Sequence, residues 1–90
     1  MPTISEFFGI VIRMFWNDHS KPHFHAFYSG QKTIYEIDPL RKKKGKKGGK
    51  FSKRAHRLIK EWAELHKDEL LAEWTVLSHN LPGFAIEGLK

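Results

Sequence analysis

Between Phe8 and Trp16 the side chains alternate: Phe8, Ile10, Ile12, Met14 and Trp16 fall on one side, and Gly9, Val11, Arg13 and Phe15 on the other. A period of two in a segment rich in β-branched and aromatic residues predicts a strand over 8–16. The turn formers Asn17, Asp18, His19, Ser20, Lys21 and Pro22 end it, and Pro22 biases Lys21 away from helix. Alternation resumes over 23–29, with His23, His25 and Phe27 on one face and Phe24, Ala26 and Tyr28 on the other. A short link at Ser29, Gly30 and Gln31 leads into a third strand over 32–38, which Pro39 ends.

Beyond Ser52, a candidate N-cap, the period changes. Ala55, Leu58, Ile59, Trp62 and Leu65 recur at helical spacing, as expected of a helix laying one face on a sheet. Leu70, Leu71, Trp74 and Leu77 continue the pattern after Asp68, which is placed to cap a second segment. The prediction is an α+β domain: a three-stranded antiparallel β-meander followed by one kinked or two C-terminal helices, over 52–66 and 68–77. Residues 39–51 are expected to form a flexible basic loop, and 79–90, with Pro82 and two glycines, an irregular tail.

Ninety residues suffice for a single domain spanning 1–90, whose small core would gain stability from a second chain, whether a copy of itself or another protein. The absence of Cys removes disulfides and thiolate metal sites and fits a reducing compartment. No basic stretch followed by an apolar core opens the chain, and its longest apolar-rich run is too short to span a bilayer. A cytoplasmic protein is therefore expected, with no membrane partner and no cofactor.

Charge changes this picture more than composition does. Residues 41–60 hold eleven Lys or Arg and no acid, whereas the flanking segments are acidic on balance. Arg41, Lys42, Lys43, Lys44, Lys46, Lys47 and Lys50 lie within ten residues, and Lys53, Arg54, Arg57 and Lys60 carry the charge along the first helix. Such a run attracts phosphate backbones irrespective of sequence, RNA being the expected partner, with affinity that falls steeply with salt. Charge runs are also often no more than solvated surface. Gly45, Gly48 and Gly49 match no phosphate-loop spacing.

The other concentration of chemistry is Asp18, His19, His23 and His25, with Arg13 nearby in the first strand. Imidazoles that titrate near neutrality suit general acid and base roles in metal-independent RNA transphosphorylation, with Arg13 stabilising charge on phosphorus. The same His-x-His with Asp18 or His19 also suits zinc, though without a fixed third ligand. The histidines could equally be structural, tying down the turn. Trp62 and Trp74 read as core, and Glu61, Glu64, Asp68, Glu69 and Glu73 as a solvated helix face.

Several stretches resemble a bacterial family known as domain of unknown function 4160. They are the opening Met1-Pro2-Thr3-Ile4-Ser5, the strand from Phe8 to Met14, the block Asp18-His19 with Pro22-His23-Phe24-His25-Ala26, and the helical stretches Lys53-Arg54-Ala55, Glu61 to His66 and Glu69 through Trp74. The resemblance implies a small partner protein encoded nearby. For some such pairs it implies a toxin–antitoxin system, with this type of chain as the growth-inhibiting half. The run 41–50 is longer and more basic than the family pattern, so its role does not follow from the resemblance.

Overall fold

The structure, a computed structural model, describes residues 3–43 and 51–90. Lys44, Lys46, Lys47 and Lys50 of the basic run lie outside the described residues. The domain is α+β, as expected, but the sheet is larger than a three-stranded meander. It comprises β1 (Thr3–Phe7), β2 (Ile10–Arg13), β3 (His23–Tyr28), β4 (Gln31–Ile37) and β5 (Leu40–Lys42), followed by α1 (Lys53–Leu65) and α2 (Lys67–Ser78). The strands are antiparallel and adjacent in chain order.

Two corrections to the sequence reading have the same origin, a two-residue turn that joins paired strands. The strand expected over 8–16 is interrupted at its start: Phe8 and Gly9 have φ of 50° and 78° and connect β1 to β2. Positive φ at both central residues is what a tight type I′ hairpin demands, and glycine supplies it without strain. Phe7 pairs with Ile10 and both face the core, so the parity of the buried positions switches across the turn, and Phe8 does not join the face of Ile10 and Ile12. Phe8 is left half-exposed at the tip. Ser29 and Gly30 repeat this geometry between β3 and β4, where a turn was expected.

Pro39 likewise ends a strand without ending the sheet. Asp38 and Pro39, joined by a cis peptide bond, form the turn, and β5 pairs back with Leu40 opposite Ile37, Arg41 opposite Glu36 and Lys42 opposite Tyr35. This edge strand was concealed because two of its three residues are charged, as is common where an edge must not pair with another chain.

One face of the sheet carries Ile10, Ile12, Phe24, Ala26, Tyr35 and Ile37, all buried beneath the helices. Trp62 of α1 is the centre of that core, fully buried, with its ring 5.2 Å from Phe7 and 5.8 Å from Phe24. Its indole N–H donates to the Glu87 carbonyl at 2.8 Å, so its polar group is satisfied. Ser52 caps α1 as expected, its Oγ accepting from the Ala55 N–H at 3.2 Å. The helical stretch divides into two helices at His66. Asp68 lies within the first turn of α2 rather than at its cap, where its charge still suits the helix N-terminus.

The tail is irregular in secondary structure, yet it is fastened. The Ile86 N–H donates to the Ile4 carbonyl at 2.7 Å, and Ile86 is buried. Glu73 corrects the expectation of a wholly solvated acidic face on α2. It is fully buried and accepts the Phe84 N–H at 3.0 Å. Burial pushes its carboxyl pKa up, and the Phe84 hydrogen bond works in the opposite sense. A Cβ on Gly83 would collide with the Glu73 carboxylate, which explains a glycine at that point in the tail.

Candidate nucleic-acid interface

The opposite face of the sheet carries the histidines. Strand register places Arg13 opposite His25 and Val11 opposite Phe27, with Ile34 on the other flank of His25. The Arg13 guanidinium lies 5.2 Å from the centre of the Phe27 ring, and its Nε donates to Thr3 Oγ1 at 3.2 Å. Phe15 meets His25 edge-on at 4.7 Å, and the His23 and His25 rings are 5.5 Å apart. His23 also approaches Trp74 of α2 at 5.1 Å. These neighbours leave His25 half-buried, its Nδ1 shut from solvent with no hydrogen-bond partner among the described residues. Burial, then the neighbouring His23 and Lys32, lower its pKa to about 4. At neutral pH it is an uncharged aromatic packing element.

Of the other two histidines of the cluster, His19 is exposed and His23 is half-buried. His23 Nδ1 lies 2.8 Å from the Lys21 carbonyl, which fixes its ring against the turn. His19 Nε2 is 3.2 Å from Asp18 Oδ1, with the His19 side chain 91% exposed. Asp18 is therefore directed at its own neighbour rather than at His23. His19 and His23 both line a hollow of about 260 Å³, shared with Ser20, Lys21, Glu36 and Lys43. The structure thus brings His19 and His23 to one cavity, sets His25 beside His23, and places Arg13 one strand further away. Among the described residues, no group of three or more His, Asp or Glu side chains is gathered closely enough to hold a metal ion.

The basic residues converge from two elements. β5 presents Arg41 and Lys42 with Lys43 immediately after it, and α1, packed beside β5, exposes Lys53, Arg54, Arg57 and Lys60. Alternation along β5 divides its charges between the two sides of the sheet. Lys43 reaches the His19–His23 hollow, while Lys42 lines a second hollow of about 240 Å³ with Tyr35, Leu40, Arg41, His56 and Lys60. Arg41 is partly committed, since its Nε donates to Glu36 Oε1 at 2.7 Å. That hydrogen bond is the main reason the Glu36 carboxyl pKa is lowered.

Tyr35 and His56 are the site residues that sequence reasoning missed. Tyr35 hides in strand alternation as one more core aromatic, and His56 looks like a polar residue on a helix flank. Their pairing follows only from α1 lying over β4 and β5. Once β5 is known, the signal is the i, i+4 spacing of His56 and Lys60 facing the strand.

A family model matches residues 9–75, most of the chain, under the description Domain of unknown function (DUF4160). The chain belongs to this family. The match spans β2 to α2 and takes in both hollows, so the paired basic elements lie within the DUF4160 domain. Comparison with curated proteins and with solved structures finds no match. No helix among the described residues is long and apolar enough to cross a membrane.

Proposed function

We propose that this DUF4160 protein is a nucleic-acid-directed module that grips the phosphate backbone of RNA along the junction of β5 and α1. The observation that carries the reading is Lys42 of β5 and Lys60 of α1 lining one hollow, with Lys53, Arg54 and Arg57 exposed along the same helix and Lys43 lining the second hollow beside β5. A run of charge that is contiguous in sequence would be solvated surface whatever the fold. Charge from two elements meeting around hollows makes a three-dimensional footprint of the kind polyanions bind. The family resemblance supports extending this to a growth-inhibiting role, held in check by a small partner protein.

The test is fluorescence anisotropy with a labelled single-stranded RNA. Neutralising Lys42, Lys43, Arg57 and Lys60 together is expected to remove binding while the circular dichroism spectrum is kept. Undiminished binding by that variant would overturn the proposal.

A second reading, metal-independent RNA cleavage, is favoured by His19 and His23 sharing a hollow with Lys21 and Lys43. One imidazole would take the 2′-hydroxyl proton, the other would protonate the leaving 5′-oxygen, and a lysine would stabilise the charge on phosphorus. His25, uncharged at neutral pH, serves the packing of that face in this scheme. Cleavage of bulk RNA that persists in chelator and disappears in both His19→Ala and His23→Ala is the expected outcome. Intact RNA with the unaltered protein would leave backbone binding alone.

A further inference from the structure

Tyr35 rises from the middle of β4 and is only 1% exposed. Its ring stacks on His56 of α1 at 5.6 Å and 14°, and its hydroxyl lies 2.8 Å from His56 Nδ1. Burial pushes the Tyr35 pKa up. Burial also lowers that of His56, helped by the positive charges of Lys42 and Lys60. Both groups are uncharged at neutral pH. In the tautomer in which the phenol donates to Nδ1, the His56 proton is held on Nε2 and is available as a donor.

The hollow of about 240 Å³ borders this pair, and its other walls are Leu40, Arg41, Lys42 and Lys60. Its electrostatics are one-sided. Arg41 is engaged by Glu36, whereas neither Lys42 nor Lys60 has a carboxylate within ion-pair distance among the described residues. Protection of an edge strand explains charge on β5 but not a concave site floored by a buried tyrosine bonded to a half-buried histidine. Two unpaired ammonium groups and one fixed imidazole donor around a cavity of this size are the complement of a compact oxyanion.

We infer that the Tyr35–His56 hollow is a phosphate-binding site, with Lys42 and Lys60 holding the charge and the histidine, oriented by Tyr35, supplying a hydrogen bond. The inference rests on the RNA-directed reading for the source of the phosphate, though not for the chemistry of the hollow. The phosphate is either a terminal monoester of RNA or an internal diester, and the two differ in whether a free end is required.

The experiment follows the imidazole resonances of the full-length protein by NMR, with His56 assigned through His56→Gln. Inorganic phosphate and adenosine 5′-monophosphate are each titrated to millimolar concentration, with adenosine as the phosphate-free control. Both phosphate probes are expected to move His56 saturably, and adenosine to leave it in place. The double variant Lys42→Gln, Lys60→Gln is expected to lose the response while its other histidine resonances remain at their folded positions. A 5′-phosphorylated RNA oligomer is then compared with its 5′-hydroxyl counterpart. Movement with the first alone assigns a terminal phosphate, and movement with both assigns the diester backbone.

A His56 resonance unmoved by either phosphate probe, or moved equally in the double variant, would overturn the inference. RNA retention measured on the same samples separates the two claims. Retained RNA with a silent His56 strikes only the phosphate site, whereas a responsive His56 without RNA retention strikes only the proposed function.

Discussion

Replacing His25 with leucine should change how the protein meets acid. In the fold its pKa is about 4, against an ordinary value of 6.5, because the ring is buried against Phe15 and Phe27 with His23 and Lys32 nearby. The unfolded chain therefore binds more protons at this site throughout the interval between those values. Stability associated with the neutral ring is present above pH 6.5 and is lost as pH falls toward 4. With these two values the loss is about 2 kcal/mol between pH 7 and pH 5, and about 3 kcal/mol by pH 4. Leucine fills a similar space without a proton to gain, and it removes a buried Nδ1 that has no partner, so it should cost little at pH 7. Urea unfolding of both proteins from pH 7.5 to pH 4 reads the difference directly, because every other titrating group is common to them. The expected result is a stability gap that opens in favour of His25→Leu as the pH falls. Parallel curves would show that His25 takes up its proton as readily in the fold as outside it, which would refute its assignment as a packing residue.

Other consequences follow from the tail and the core. Glu73 has a raised carboxyl pKa in the fold, so its ionised form costs stability above that pKa and the cost falls as the pH drops. Glu73→Gln keeps an acceptor for the Phe84 N–H and should raise the thermal midpoint at pH 8, with an advantage that shrinks toward pH 5. Gly83→Ala drives a methyl group into the Glu73 carboxylate and should lower the midpoint, with amide exchange quickening first around Ile86 and Glu87. Ser52→Ala removes the cap of α1 and should cost about 1 kcal/mol in chemical denaturation without altering the fold.

The layout was legible in the sequence wherever a side chain's surroundings repeat with the period of its own element. The alternation at Ile10, Ile12 and Met14, and at Phe24 and Ala26, marked the buried face, and Ala55, Ile59 and Trp62 marked the face of α1. Boundaries that depend on turn parity were not legible. Phe8 and Gly9 switch the parity of the buried face inside an apolar run, with no polar turn residue to announce it, and Pro39 reads as a terminator although it shapes a turn into another strand.

For the candidate site, the residues clustered in sequence were visible and those brought together by the fold were not. His23 and His25 stand out as a pair two apart, yet their environments differ: one lines a hollow with His19 and the other is packed among aromatics. Asp18, which the sequence groups with them, turns to His19. Glu73 looks identical to its exposed neighbours until the returning tail buries it, a contact between α2 and residue 84 that no local pattern announces. The Tyr35–His56 pair joins residues 21 positions apart and has no local signature either.

RNA phosphates are proposed to lie against charges drawn from both β5 and α1, and the salt dependence of RNA binding is the measurement to make. Each phosphate contact on a single strand contributes about 0.7 to the slope of log Kobs against log salt concentration. A steep slope is expected for the unaltered protein. Neutralising Lys42 with Lys43 on the strand side, or Arg57 with Lys60 on the helix side, should lower that slope by comparable amounts. A shallow slope, or one that changes for neither pair, would contradict the proposal.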